Sequence, residues 1–218
     1  AHNPTLAPVK PMQLTSQSNW YIYVSAGINA WSDFAFHHNP YKLDGKAALG
    51  IGYRANERIC TELDAHFFTV SGKASLYESV RRQYGEGFNE TTYRYFTNRL
   101  YQAGIAAHLK YRVLPNHTVG VGWGTDYLLT ADNRIETGLA SSYENPTTSS
   151  TNEKGYVQGY RTLQQALLLN YEFVLGRNKS VGAQYQWGLT DITKNEFFGN
   201  TKDKNSMLSF YFRFKLKS

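Results

Sequence analysis

The chain has one cysteine, Cys60, and no apolar run that approaches the ~20 residues a transmembrane helix needs. A lone cysteine excludes an internal disulfide and any cysteine-based metal site. Cys60 falls on the polar face of its segment with no motif around it, so it reads as structural filler. A mean hydropathy of −0.50 fits the absence of a spanning helix. Also missing is a basic run or an aromatic-basic motif suited to nucleic acid. The 23 Lys+Arg against 17 Asp+Glu give a formal charge of only +6, and the cations are scattered. They read as turn and loop residues near anionic lipid headgroups. No signal peptide is visible. Residues 1–17 (AHNPTLAPVKPMQLTSQ) carry three prolines and no apolar core, and read as an extended tail. A signal already removed and a longer precursor both fit that tail.

What the chain does have is strict alternation. Over residues 118–130, Val119, Val121, Trp123, Thr125, Tyr127 and Leu129 lie on one face, and Gly120, Gly122, Gly124 and Asp126 on the other. A period of two is a β-strand signal. Glycine, small residues and charge on the second face suit the narrow interior of a small barrel, with the apolar face turned to lipid. The opposite arrangement, a soluble lipocalin-like barrel with its apolar face inward, would leave the glycine-rich face bare to solvent.

The same reading along the chain predicts eight strands: 19–31, 46–54, 58–71, 93–113, 118–130, 159–174, 180–190 and 206–215. Short turns at Ala55-Asn56-Glu57, Pro115-Asn116 and Gly176–Lys179 alternate with long polar segments 32–45, 72–92, 131–158 and 191–205, all read as loops. An even strand number with alternating short and long connections, and both termini at the short-turn end, predicts an all-β fold. It is an eight-stranded antiparallel up-and-down transmembrane β-barrel over residues 18–218, following a periplasmic tail over 1–17. Closure is the physical reason, because lipid cannot satisfy the free N–H and C=O groups of a sheet edge. Aromatics make up 15% of the chain, and Trp20, Tyr53, Tyr111, Phe173 and Phe214 fall at the short-turn ends of the apolar faces. They are the expected periplasmic girdle.

With the last strand in place, the chain resembles the small eight-stranded outer-membrane barrels, and more narrowly the outer-membrane β-barrel domain family of Bacteroidetes-type bacteria. WYIYVSAGINAW at the start, ALGIGYR before the first short turn and SFYFRFKLKS at the end carry the resemblance, which covers residues 18–216. It implies a bacterial outer-membrane location with periplasmic termini. It also implies service as an accessory subunit of a larger outer-membrane complex, or as the membrane end of a fused upstream signalling region. Such barrels usually end on an aromatic residue read by the assembly machinery. Here Lys215-Leu216-Lys217-Ser218 follow Phe214.

For chemistry, the inner face collects Arg54, Glu62, Asp64, His66, His108, Lys110, Arg112, Asp126, Glu172 and Arg213. These are expected to interlock as ion pairs and plug a lumen that side chains can fill. A serine esterase on a barrel needs a histidine and a serine facing lipid at matching height, and His66 and His108 face inward. His37-His38 with Asp33 in the first loop do not make a recognisable metal set. The sequence thus points to no catalytic residue, metal or cofactor. It points to a non-enzymatic accessory, structural or signal-relaying barrel with lipid, lipopolysaccharide and protein as neighbours, no nucleic acid, and a lipid A- or phospholipid-modifying enzyme as the alternative.

One consequence is directly measurable. The folded protein should require detergent or lipid and should migrate differently on SDS gels before and after boiling. Identical migration together with solubility in plain buffer would exclude the barrel.

Overall fold

The computed structural model describes residues 19–32, 44–71, 74–84, 87–141, 145–155, 159–192 and 204–217. The expected tail over 1–17 lies outside the described residues, as does the first long segment with Asp33, His37 and His38 up to residue 43.

Ten antiparallel strands are present. They are β1 Trp20–Ser32, β2 Asp44–Arg54, β3 Ile59–Ser71, β4 Ala74–Tyr84, β5 Gly87–Leu114, β6 His117–Ser141, β7 Thr147–Lys154, β8 Leu163–Val174, β9 Lys179–Gly188 and β10 Met207–Lys217. Eight of them close a ring in the order β1-β2-β3-β5-β6-β8-β9-β10, with β10 pairing back to β1. The fold is therefore an eight-stranded antiparallel up-and-down transmembrane β-barrel. Every ring strand has a partner on both sides, so no backbone edge faces lipid.

The alternation is visible in the burial of each strand. β3 runs exposed then buried over most of its length, and β8 does the same. Leu49, Leu63, Ile105, Leu109, Val121, Leu169 and Trp187 are exposed on the outside, while Glu62, Asp64, Lys110, Asp126 and Arg213 are buried within. Burial here means burial in the lumen, the reverse of a soluble protein of this size. The three short turns lie at one end. Asn56 shapes the first, its side-chain oxygen accepting from the backbone N–H groups of Arg58 and Ile59 at 2.8 Å each. The start of β1 and the end of β10 lie at this same end, the first strand pairing with the close of β2 and the last with the start of β9.

The other end departs from the sequence-based expectation. Segments 72–92 and 131–158 were expected to be loops, yet they hold β4, β7 and the outer halves of β5 and β6. β5 stops pairing with β3 at Arg99 and continues against β4 from Phe96 to Gly87. β6 stops pairing with β8 at Tyr127 and continues against β7 from Asp132 to Leu139. The two outer halves also pair with each other, from Arg99↔Asp132 to Asn89↔Ser141. A four-stranded sheet, β4-β5-β6-β7, thus rises from the barrel rim. At about 3.4 Å per residue its ten-residue pairings extend roughly 30 Å. β7 is exposed along its whole length, so no apolar alternation marks it. The sheet's Thr-rich and Tyr-rich stretches form strands through cross-strand pairing alone.

Two smaller differences follow the same logic. β8 begins at Leu163 rather than 159, because Tyr160 is drawn into the lumen's outer end. β9 ends at Gly188, and an isolated bridge, Asp191↔Lys204, brackets the start and finish of the last long segment.

A label placed at Thr148, on β7 of the projecting sheet, should be accessible to a membrane-impermeant reagent on intact cells, and one at Asn178 in a short turn should not. Each is introduced as a cysteine in a Cys60→Ser background. The reverse pattern would invert the orientation.

Candidate functional site: the lumen

An eight-stranded ring encloses just enough space for side chains, and the lumen is organised in tiers. The tier nearest the short turns joins four strands. Lys110 Nζ on β5 lies 2.8 Å from Glu62 on β3 and 2.8 Å from Glu172 on β8. Arg213 Nη1 on β10 lies 2.8 Å from Glu62 and 2.9 Å from Glu172. Each cation touches both acids and each acid both cations, a closed square of alternating charge. The Tyr21 hydroxyl donates to Glu62 at 2.7 Å and the Ser180 hydroxyl to Glu172 at 2.6 Å. Isolated buried charges are expensive, and a square of this kind offsets the cost because each charge meets two of the opposite sign, although the Arg213 Nε–H is left without an acceptor among the described residues.

The next tier outward is a chain of acid and imidazole. His66 lies with Nε2 2.7 Å from Asp126 and Nδ1 3.0 Å from Asp64. Carboxylates only accept, so this geometry satisfies a doubly protonated ring. The second oxygen of Asp64 meets His108 Nε2 at 3.0 Å and accepts from the Tyr23 hydroxyl at 3.1 Å. His108 Nδ1 faces the Asn170 amide at 3.1 Å, and the Gln186 amide donates to Asp126 at 3.1 Å. Lys46 enters the same tier and hydrogen-bonds Gln184. Both nitrogens of both histidines are engaged within the lumen, which leaves neither free to activate a nucleophile on the lipid face.

Above this the lumen turns apolar. Phe68, Val70, Leu100, Leu128, Ala131, Tyr160, Ile192 and Met207 form one buried cluster beneath the projecting sheet. The Tyr160 hydroxyl bonds Thr97 and lies 3.4 Å from Asn133.

The glycines of the inner face have a specific task. Tyr23 stands opposite Gly50, Tyr21 opposite Gly52 and Tyr211 opposite Gly182 on neighbouring strands. A Cβ at those glycines would lie 2.3, 2.2 and 2.4 Å from the Cζ of the respective ring. Each ring lies flat on bare backbone, the only way a tyrosine fits across so narrow a tube. Gly122 makes room for His108 in the same way.

Of the ten residues expected to interlock, eight meet in these two tiers: Glu62, Asp64, His66, His108, Lys110, Asp126, Glu172 and Arg213. Arg54 and Arg112 do not. Arg54 stands at the mouth with its guanidinium 5.4 Å from the centre of the Tyr21 ring, and Arg112 is exposed. The reason is position. Both sit at strand ends beyond the charge square, whose acids are already held by Lys110 and Arg213. Asp64, in turn, pairs with histidines rather than arginines.

The sequence-based site set lacked Tyr21, Tyr23, Lys46, Asn170, Ser180, Gln184 and Gln186. Their parity placed them inward, and polarity on an inward position was the signal. Cys60 is free and half-buried on the inner side.

The expected girdle residues lie on the outer face near the short turns. Trp20 packs on Tyr53 with ring centroids 4.9 Å apart, the Tyr111 hydroxyl accepts from Arg58 at 3.2 Å, and Phe173 meets His117 at 5.0 Å. Phe214 stands opposite Lys179.

No protein-family model matches the sequence, and neither does any curated protein. Among solved structures, similar ones include Ail, the attachment invasion locus protein of Yersinia pestis, in complex with the heparin analogue sucrose octasulfate. That pair is 10% identical with a TM-score of 0.37, covering 91% of this chain and 98% of Ail. The Neisserial surface protein A, NspA, is 14% identical with a TM-score of 0.44, again covering 91% and 98%. The CymD monoaromatic hydrocarbon channel is 11% identical with a TM-score of 0.40, covering 93% of this chain and 67% of the channel. The barrel is established by its own closed strand ring, and likeness at these scores says nothing of activity.

Removing one corner of the charge square should be severe. Glu172→Ala leaves Lys110 and Arg213 short of an acid inside the lumen and should cost about 3–5 kcal/mol. Urea unfolding in detergent reads this as a lowered midpoint, whereas Thr148→Ala on the projecting sheet should change stability by less than about 0.5 kcal/mol. Equal midpoints for the two variants would show that the square does not hold the strands.

Proposed function

We propose that this protein is a bacterial outer-membrane barrel that works through protein contacts, as an accessory, structural or signal-relaying subunit rather than as a catalyst or a pore. One observation carries the reading: a lumen filled by mutually paired side chains, joined to a four-stranded sheet that projects beyond the rim. The barrel then serves as the anchor and the sheet as the working surface. Every residue of β7 is exposed, and β4 and β7 are the outermost strands of the sheet order. Extended partners add to such edges through main-chain hydrogen bonds. The short-turn end, with the termini and the aromatic girdle, faces the periplasm in this reading, and the sheet faces the cell exterior. Lipid, lipopolysaccharide and a larger outer-membrane assembly or an upstream signalling region are the expected neighbours, and the tail over residues 1–17 is a second candidate contact.

Three measurements test this. In planar bilayers the protein should give no steady conductance, and ion-selective single channels would refute the plugged lumen. Photo-crosslinking from position Ser150 of the full-length protein in intact cells should capture protein, and replacing 74–96 and 134–155 by short Gly-Ser linkers should preserve heat-modifiable folding yet abolish copurification of the captured partner. If the full-length barrel instead runs alone after mild extraction and deacylates lipid A or hydrolyses phospholipid, the enzyme reading replaces this one.

A further inference from the structure

The charges of the lumen nearly cancel within it. Glu62 and Glu172 face Lys110 and Arg213, and Asp64 and Asp126 face His66, with Lys46 in the same tier. Three cations at the short-turn mouth are left over. Arg54, Arg112 and Lys215 line a cleft of about 40 Å³ that opens there, with Arg58 of the first short turn beside them. Among the described residues, none of the three has a carboxylate at ion-pair distance. Arg54 and Lys215 converge on one ring: the guanidinium carbon lies 5.4 Å and the ammonium 4.8 Å from the centre of Tyr21. Two like charges against one aromatic platform repel each other unless an anion sits between them. The acids lining the cleft do not fill that place. Glu62 and Glu172 are committed to the charge square, and Glu57 is exposed in the turn beside Arg58.

We propose that this mouth is a binding site for a phosphate group, held by Arg54 and Arg112 through their guanidinium forks and by Lys215 as a point charge. Two forks and an ammonium exceed what one carboxylate balances, and they match a group with several acceptor oxygens. The site lies at the height of the Trp20–Tyr53 pair, where the membrane meets water. A phosphodiester headgroup of the lipid leaflet and a soluble phosphate compound both bring that chemistry to it. The Tyr21 hydroxyl ties the platform to Glu62, so an occupant of the mouth rests on the innermost tier of the plug. This proposal concerns the end opposite the projecting sheet and stands or falls independently of the contact function.

The test uses the full chain folded in an uncharged detergent, with ³¹P NMR line broadening as the readout. The probes are inorganic phosphate, dihexanoyl-phosphatidylglycerol below its micelle concentration, and the zwitterionic dihexanoyl-phosphatidylcholine. Saturable broadening is expected for inorganic phosphate, for the glycerol lipid, or for both, and it should weaken at least about ten-fold in Arg54→Gln/Lys215→Gln. Binding of inorganic phosphate assigns a soluble source, and binding of the anionic lipid alone assigns a headgroup. Arg112→Gln, at an exposed position, provides a milder variant should the double one lose its heat-modifiable fold, and it should weaken binding in the same direction. Arg134→Gln at the opposite end should leave binding unchanged. No saturable binding of either anionic probe, equal binding of the zwitterionic lipid, or binding indifferent to Arg54, Lys215 and Arg112, overturns the site.

Discussion

Closing a sheet of eight strands fixes an interior about as wide as the side chains that fill it, and most features of this molecule follow from that restriction. The tube cannot hold bulk water, so any charge inside must be answered at contact distance. The side chains at each level must also fill the tube without voids. Both demands are met by pairing opposite partners, some on neighbouring strands and some across the tube. A glycine faces each of Tyr21, Tyr23 and Tyr211, and an acid faces each cation of the lower tier. The square of Glu62, Lys110, Glu172 and Arg213 draws on the adjacent pair β3 and β5 and on β8 and β10 farther around the ring. It therefore ties β8 and β10 to each other and to the β3–β5 pair, strands that share no backbone hydrogen bonds. Apolar side chains of similar volume would fill the same space at comparable stability, so the square is better understood as fixing which strands face each other than as raising stability.

The barrel itself was legible because lipid outside and a narrow lumen inside impose opposite chemistries on successive residues. The period of two over 118–130 places Val121 and Trp123 outward and Gly122 and Asp126 inward, and the structure keeps that parity. The partners within the lumen were less legible. Parity says that Arg54 and Arg112 point inward, but pairing depends on height along the tube, and both lie one step past the acids that were to receive them. The projecting sheet was not legible at all. A strand exposed throughout, as β7 is, needs no alternation, and SSYENPTTSSTNEKG carries the turn-forming residues of a loop. Only the lengths of β5 and β6, 28 and 25 residues against the 10–13 of the other ring strands, reveal it.

The two ends of the tube are built on different principles. The outer end is sealed by the cluster around Phe68, Leu100, Tyr160 and Met207, which lies directly under the sheet. Packing there is continuous from the lumen into the base of the sheet, with Thr97 and Asn133 reaching Tyr160 from the two strands that carry on upward. The inner end is open, polar and positive. An apolar seal transmits position, since close-packed side chains shift together, whereas a charged mouth responds to what binds it.

That asymmetry bears on how a plugged barrel relays anything. In a lumen filled by side chains, a relay of the kind proposed would travel through side-chain contact. The page of contacts from mouth to rim is unbroken: Tyr21 on Glu62, Glu62 with Lys110 and Arg213, the Arg213 guanidinium 4.0 Å from the centre of the Tyr23 ring, Tyr23 on Asp64, and Asp64 through His66 to Asp126. His66 then lies against Phe68, ring centroids 5.8 Å apart, at the floor of the apolar seal. Spatial continuity alone does not make a pathway. Coupling needs an element with two arrangements that both ends bias. The tier of Asp64, His66, His108 and Asp126 sets two imidazole rings among two acids and the amides of Asn170 and Gln186, so a turned ring there can trade a carboxylate partner for an amide one. The square below offers no such freedom, as every exchange there separates opposite charges. The histidine tier thus stands between the charge square and the close-packed seal, the level of the lumen where partners can be exchanged most readily.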